Sequence, residues 1–259
     1  MDEPTGSAFR LTYSTMFDPP EALHRAFEAA LQSVRGELGR TLRLDLDGIG
    51  SGAPAASASF LDVRAPADDE CLLARMEAAS PETVDRAVRA AREAFPRWAA
   101  LPWRERVAIL RKAADLIEER VYRIAAVVAM EVGKNRMESI GEVQETADLV
   151  NWYCDQMEQN AGFVRDLPND PVKGFVSRNR TVLKPCGPWA VIAPFNFPVA
   201  LAGAPVAAAL VTGNTVVFKV ASSTAWSGWL LHQAFRDAGV PPGVLTYLAG
   251  SGSVVGDGL

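Results

Sequence analysis

The stretch from Gly187 to Val220, GPWAVIAPFNFPVALAGAPVAAALVTGNTVVFKV, constrains the fold more than any other part of the chain. It reads as an apolar strand, a turn carrying one asparagine, a helix of small residues, and a second apolar strand that ends in lysine. The runs Trp189 to Ala193 and Thr215 to Phe218 lack polar alternation and predict strands buried on both faces. With a helix between them they make a βαβ unit and require a parallel sheet. Function in such sheets collects at the carboxyl ends of the strands, where Asn196 and Lys219 sit.

Composition narrows the partners. The chain has 259 residues, 49% hydrophobic and 22% charged, enough for a substantial core. A net charge of -5 excludes a general affinity for nucleic acid or anionic membrane, leaving a small organic ligand as the expected partner. Cys71, Cys154 and Cys186 are too few and scattered for a disulfide framework, and His24 and His232 make no zinc constellation, so no metal is expected. The start, MDEPTGSAFR, is acidic rather than basic and apolar, which predicts a cytoplasmic protein. The apolar run after Pro198 is interrupted by Gly203, Pro205, Gly213 and Asn214, and its length suits a core helix rather than a membrane span.

Residues 1–60 read as an N-terminal extension. Within it, Glu21 to Leu38 places Leu23, Phe27, Ala30, Leu31 and Val34 at helical spacing, and Gly48 to Ala58 reads as a loop. Residues 61–162 read as a helical region. Ser80 and Pro81 form a helix start, followed by an apolar stripe of Val84, Ala87, Val88, Ala91 and Phe95 that Pro96 is expected to stop. The next helix uses Val107, Leu110, Ala114, Ile117 and Val121, continues to Met130 and is closed by Gly133. A third, from about Met137 to Asn160, aligns Ile140, Val143, Ala147, Val150, Cys154 and Met157 on one seam, which makes Cys154 a core thiol. Its other faces carry Glu142, Glu145 and Asp148, read as solvated surface. Residues 163–186 alternate weakly and predict a strand or hairpin. Residues 187–259 hold the βαβ unit, a helix near Thr224 to Ala238, the turn Val240 to Gly243, and a third strand, Val244 to Leu248.

Three features could carry chemistry. Asn196 lies between Phe195 and Phe197, with Pro194 and Pro198 outside them. Its amide can tie its own turn to the backbone, or it can donate to an oxygen that becomes negative in a transition state. Lys219 is either a snorkelling charge at a strand end or a clamp for ribose or phosphate. Gly250, Gly252 and Gly256 follow a strand and would let a phosphate approach the backbone, a weak motif by itself.

Taken in order, PFNFP at 194–198, GNTVVFK at 213–219 and GVPPGVLTYLAGSGSVVG at 239–256 resemble the aldehyde dehydrogenase superfamily. The likeness extends through SPETVDRAVRAAREAFPRW and EVGKNRMESIGEVQETADLVNWYCDQM, and is greatest to the glutamate semialdehyde (1-pyrroline-5-carboxylate) dehydrogenase branch. It covers roughly residues 61–259. The resemblance implies an α/β fold: a helical region plus the first three strands of a Rossmann-like parallel sheet, truncated. It implies NAD as cofactor, with NADP an alternative, and an aldehyde substrate attacked by a cysteine thiolate. Asn196 matches the oxyanion asparagine, Lys219 the ribose lysine, Ile192, Pro194 and Phe195 the strand end along the cofactor, and Gly252 the glycine near adenine. Glu142 matches a carboxylate near the substrate ammonium, and residues 163–186 a hairpin used in oligomerisation.

Three departures qualify that likeness. Ser222 stands where many NAD-using members place a ribose-binding glutamate, which leaves room for a 2′-phosphate. Val220 replaces the usual proline after the lysine, removing a restraint on φ. No cysteine has the surroundings of the family nucleophile, and the chain stops at Leu259, about half the family's usual length. The expectation is therefore an N-terminal half that is inactive alone and exposes an aggregation-prone sheet edge. The alternative is a non-catalytic nucleotide-binding or subunit-interaction module, which pairs with itself or with a C-terminal half. An unrelated doubly wound protein is a third reading.

Overall fold

The computed structural model describes residues 17–47, 49 and 59–259, so apart from Ile49 the loop expected at 48–58 lies outside the described residues. The elements run α1 (Glu21–Arg35), β1 (Arg40–Leu42), β2 (Phe60–Ala65), β3 (Asp68–Glu77), α2 (Pro81–Ala100), α3 (Trp103–Glu119), α4 (Val121–Val132) and α5 (Arg136–Gln159). They continue as β4 (Val164–Leu167), β5 (Asn179–Val182), β6 (Pro188–Ile192), α6 (Ala200–Val211), β7 (Thr215–Lys219), α7 (Ala225–Ala238) and β8 (Leu245–Tyr247), with a short helical turn at Gly252–Gly256. Among the described residues no helix is long and apolar enough to cross a membrane.

The expected βαβ unit is present. β6, β7 and β8 form a parallel sheet in that order, with Ile192 opposite Lys219 and Phe218 opposite Tyr247. β7 is buried along its whole length, but β6 corrects the expectation of a strand covered on both faces. It forms an edge of the sheet, so Trp189 is 47% exposed and Ile192 59%, while Val191 is buried. A three-stranded sheet, β1-β3-β2, lies outside what the helical reading of residues 61–162 foresaw. Its signal was short alternation, as in Leu61-Asp62-Val63-Arg64, where Val63 is buried and its neighbours are not.

Two helix boundaries also differ. α2 runs through Pro96 to Ala100, since Trp98 is buried and its indole N–H donates to the Leu210 carbonyl at 3.0 Å. Tertiary packing at Trp98 outweighs the local cost of the proline. The second predicted helix is two, α3 and α4, broken at Arg120, whose φ of -96° and ψ of 11° leave the helical region. Arg120 pairs with Asp237 at 2.8 Å across to α7. The seam of α5 is as expected, all six residues from Ile140 to Met157 being buried.

Buried charges hold the helices of the parallel sheet. The segment Ala200–Val211 has no polar side chain with which to cap itself. At its start Glu142 accepts from the Val199 and Ala200 amides at 2.8 and 3.2 Å. At its end buried Arg106 donates to the Val211 carbonyl at 3.0 Å, and also to Trp98 at 3.3 Å and to Leu101 at the end of α2. α7 is capped in the same way by Glu131, which accepts from Trp226 N–H at 2.8 Å and Ser227 N–H at 2.9 Å. Asn214 ties the unit at its other end, its Oδ1 accepting from Cys186 and Gly187 N–H at 2.7 and 3.1 Å. Glu142 therefore does not lie on a solvated surface, and its burial follows from the orphan amides it serves.

Two predictions follow from this packing. A Cβ on Gly203 would overlap the Thr146 methyl where α6 meets α5, so Gly203→Ala is expected to lower stability by about 1–3 kcal/mol in urea titration. Burial raises the Glu131 pKa to about 7 against the pull of its amide partners. A carboxyl with a raised folded-state pKa contributes stability that is full below its unfolded value near 4.5 and is lost as pH rises through about 7. Stability measured at pH 5 and pH 8 is expected to fall by on the order of 1–3 kcal/mol, and Glu131→Gln to flatten the difference.

Candidate functional site

The carboxyl ends of β6, β7 and β8 meet on one side of the sheet. Ala193 N–H donates to the Lys219 carbonyl and Leu248 N–H to the Phe218 carbonyl, both at 2.9 Å, so the strand ends stay aligned beyond the regular ladder. Ser222 Oγ donates to the Gly250 carbonyl at 2.9 Å, tying the segment after β7 to the segment after β8. Ile192 and Lys219 end adjacent strands, and Ser222 and Gly252 lie on the segments that follow β7 and β8.

Lys219 is buried, and its Nζ donates to the Val220 carbonyl at 2.9 Å. That is its one hydrogen bond among the described residues, which leaves donors of a three-donor ammonium available to a ligand. Burial lowers its pKa, since the charged form loses hydration. A Cβ on Gly252 would meet nothing within 4 Å, so the backbone there is open to approach. Ile192 and Phe195 present exposed apolar surface, 59% and 60%, beside this edge. An ammonium with unspent donors, an open glycine backbone and an apolar strand end fit the ribose and ring surfaces of a dinucleotide. Ser222 brings no charge to that edge, its hydroxyl being spent on Gly250.

Asn196 stands in the exposed turn between β6 and α6. Among the described residues its side chain has no hydrogen-bond partner, so it is not tying its own turn. The segment after it is held: Glu142 receives Val199 and Ala200 N–H, and Lys134 sits against Phe197 with its Nζ 3.3 Å from the ring centroid. Lys134 Nζ also pairs with Glu142 Oε2 at 2.6 Å. Glu142 is thus close to the Asn196 turn, but its side chain is fully covered and both its oxygens are engaged. Contact with a substrate ammonium is closed to it in this arrangement.

The sequence reading missed Lys134, Arg106, Glu131 and Asn214, each of which has a partner distant along the chain, for Lys134 the Phe197 ring. No local pattern marks such residues; the Gly133-Lys134 turn at the end of α4 was the nearest signal. The thiols are as expected. Cys154 is buried with its pKa raised to about 11 by desolvation, and Cys186 is exposed. Among the described residues no cluster of histidine, cysteine and carboxylates could hold a metal ion.

Residues 53–259 match the sequence model of the aldehyde dehydrogenase family. The chain belongs to that family. It is 34% identical over 238 residues to a 1-pyrroline-5-carboxylate dehydrogenase of Geobacillus sp. (strain WCH70), a match covering 92% of this chain and 44% of the relative. A crystal structure of 1-pyrroline-5-carboxylate dehydrogenase from Thermus with bound NAD superposes with a TM-score of 0.84 at 30% identity, covering 98% of this chain and 47% of that one. An NADP-dependent glyceraldehyde-3-phosphate dehydrogenase from Bacillus halodurans C-125, complexed with NADP, gives a TM-score of 0.72 at 35% identity over 83% of this chain and 45% of that one. The chain spans under half the length of these relatives.

In this aldehyde dehydrogenase chain, thiol reactivity should follow burial. Titration of the folded chain with a disulfide reagent at pH 8 is expected to modify Cys186 readily and to leave Cys154 unreacted until denaturant is added. Rapid modification of Cys154 in the folded state would contradict its place on the α5 seam.

Proposed function

We propose that the chain is the cofactor-binding, N-terminal half of an NAD-dependent aldehyde dehydrogenase, with NADP as an alternative, that oxidises L-glutamate γ-semialdehyde to L-glutamate. The observation that carries the reading is the strand-end constellation. The free Asn196 amide, the buried Lys219 ammonium and the open Gly252 backbone share the carboxyl side of one parallel sheet. Similarity to 1-pyrroline-5-carboxylate dehydrogenases over 92% of the chain supports the choice of aldehyde.

In this reading Lys219 donates to the ribose hydroxyls, and Gly252 lets the adenine end approach the backbone. Ile192, Pro194 and Phe195 give the cofactor an apolar wall that excludes water. Ser222, without a carboxylate, tolerates a 2′-phosphate. When bound, the nicotinamide supplies the hydride acceptor. Asn196 points an N–H at the oxygen that gains negative charge when a nucleophile adds to the aldehyde, a contribution worth roughly 3 kcal/mol for one such donor. Glu142 shapes the substrate side through the turn it anchors. The nucleophilic cysteine and the hydrolytic base come from the other half of the family fold, so the chain by itself is expected to bind nucleotide without turnover. No metal takes part in this reading, and the expected location is the cytoplasm.

A partner surface is also proposed. The β4–β5 hairpin is exposed along every residue of both strands, and it presents Val164, Leu167 and Val182 to solvent. Burial of that apolar edge against another subunit or a C-terminal half would remove it from water.

Calorimetric titration with NAD and NADP, followed by mixing with the C-terminal half of a 1-pyrroline-5-carboxylate dehydrogenase, tests the reading. Heat of binding from the chain alone, and aldehyde-dependent cofactor reduction only in the mixture, are expected. Asn196→Ala should then lower kcat about 10²–10³-fold. A folded chain that gives no heat with either nucleotide overturns the proposal.

A further inference from the structure

Lys134 lies at the junction of the helical layer and the turn that carries Asn196. Gly133, with φ of 78°, closes α4 in the left-handed region, and the chain then enters α5 through Lys134 and Asn135. The Lys134 side chain is only 11% exposed and its ion-pair partner Glu142 is 0% exposed. The ammonium is 2.6 Å from Glu142 Oε2 and lies over the face of Phe197, 3.3 Å from the ring centroid. The cation beside Glu142 is therefore supplied by the chain itself, at the place where the resemblance expected a substrate ammonium.

We propose that Lys134 is the positioning residue for Asn196, acting through Glu142 and Phe197. Asn196 has no side-chain hydrogen bond among the described residues, so the direction of its amide is set by the backbone on either side of it. On the carboxyl side that backbone is held at Phe197 by the cation on its ring, and at Val199 and Ala200 by Glu142 Oε1. Lys134 touches the first and compensates the second. Removing its charge would leave a covered carboxylate without a cation and a ring without its contact, a loss that a buried pair transmits strongly to its surroundings. Pro198, between the two held points, limits how the segment can relax. The proposal rests on the reading of Asn196 as the oxyanion donor, but its local consequences do not require turnover.

The test uses the whole chain labelled with nitrogen-15 at asparagine, together with amide hydrogen exchange. In Lys134→Met, protection of the Val199 and Ala200 amides is expected to fall about tenfold or more, while β7 amides keep theirs. The side-chain amide resonance of Asn196 is expected to move from its position in the unaltered chain. Lys134→Arg, which retains the cation, should restore both readouts, and Lys134→Gln carries the same measurements if the methionine variant does not fold. Unchanged protection at Val199 and Ala200 overturns the proposal. Lost protection with an unmoved Asn196 resonance also overturns it, since Lys134 would then hold α6 without orienting the amide. Absence of nucleotide binding would count against the proposed function and leave these readouts as they are.

Discussion

The helix between the first two strands of the parallel sheet has no polar side chain within it, and only its carboxyl end finds local partners, Thr212 and Asn214 donating to the Ala208 and Ala209 carbonyls. Its sequence, ALAGAPVAAALV, offers neither a capping hydroxyl at the start nor a charged side chain at the finish. Small side chains let it pack closely against α5, where Gly203 meets Thr146, but they leave orphan amides and carbonyls in a dry interior. The first amides are served from outside by the Glu142 carboxylate, and the final carbonyl, that of Val211, by the Arg106 guanidinium. Each charge has the sign that the helix dipole favours at that end. Close packing and remote capping are thus two sides of one arrangement, because a helix with longer polar residues could cap itself but could not approach α5 as nearly.

The same solution recurs one strand later. α7 begins against Glu131 from α4, and Gly228 within it would place a Cβ in close contact with Val220 and Tyr247. The two carboxylates differ in one respect that matters for the site. Glu142 has Lys134 as a counter-ion, whereas burial without a cation raises the Glu131 pKa to about 7. Glu131 serves the start of α7. Glu142 joins its helix to the turn that carries Asn196, with Lys134 as its counter-ion.

What the sequence made legible was whatever depends on neighbours along the chain. The βαβ unit follows from apolar runs, the α5 seam from three- and four-residue spacing, and the Ser80 cap from the side chain that accepts Thr83 N–H at 3.2 Å. The strand-end residues were also legible, since position in a parallel sheet fixes which side they face. Long-range partners were not. Arg106 reads as a surface helix residue until Val211, 105 residues away, is placed beside it, and Glu142 until Val199 is. Pro96 reads as a helix end because the indole of Trp98 finds its acceptor on a helix 112 residues on. β2 was hidden because its six-residue alternation competes poorly with the longer helical patterns nearby, and β3, ten residues long, is exposed over its first three residues and so lacks a full apolar alternation.

The exposure of β6 has a cause that connects these points to function. Among the described residues β6 pairs with β7 on one edge alone, and its outward side chains have little packed over them. Trp189, Ile192, Phe195, Phe197 and Leu201 are left as exposed large apolar residues, and all lie on β6, the turn after it, or the first turn of α6. Ile192, Phe195 and Phe197 leave apolar surface beside Asn196 and Lys219, while Trp189, three positions before Ile192 on the strand, points to the other side of the sheet. An oxyanion donor is effective only where water is excluded and the dielectric is low. In the proposed reading, whatever covers Ile192, Phe195 and Phe197 would also exclude water from Asn196.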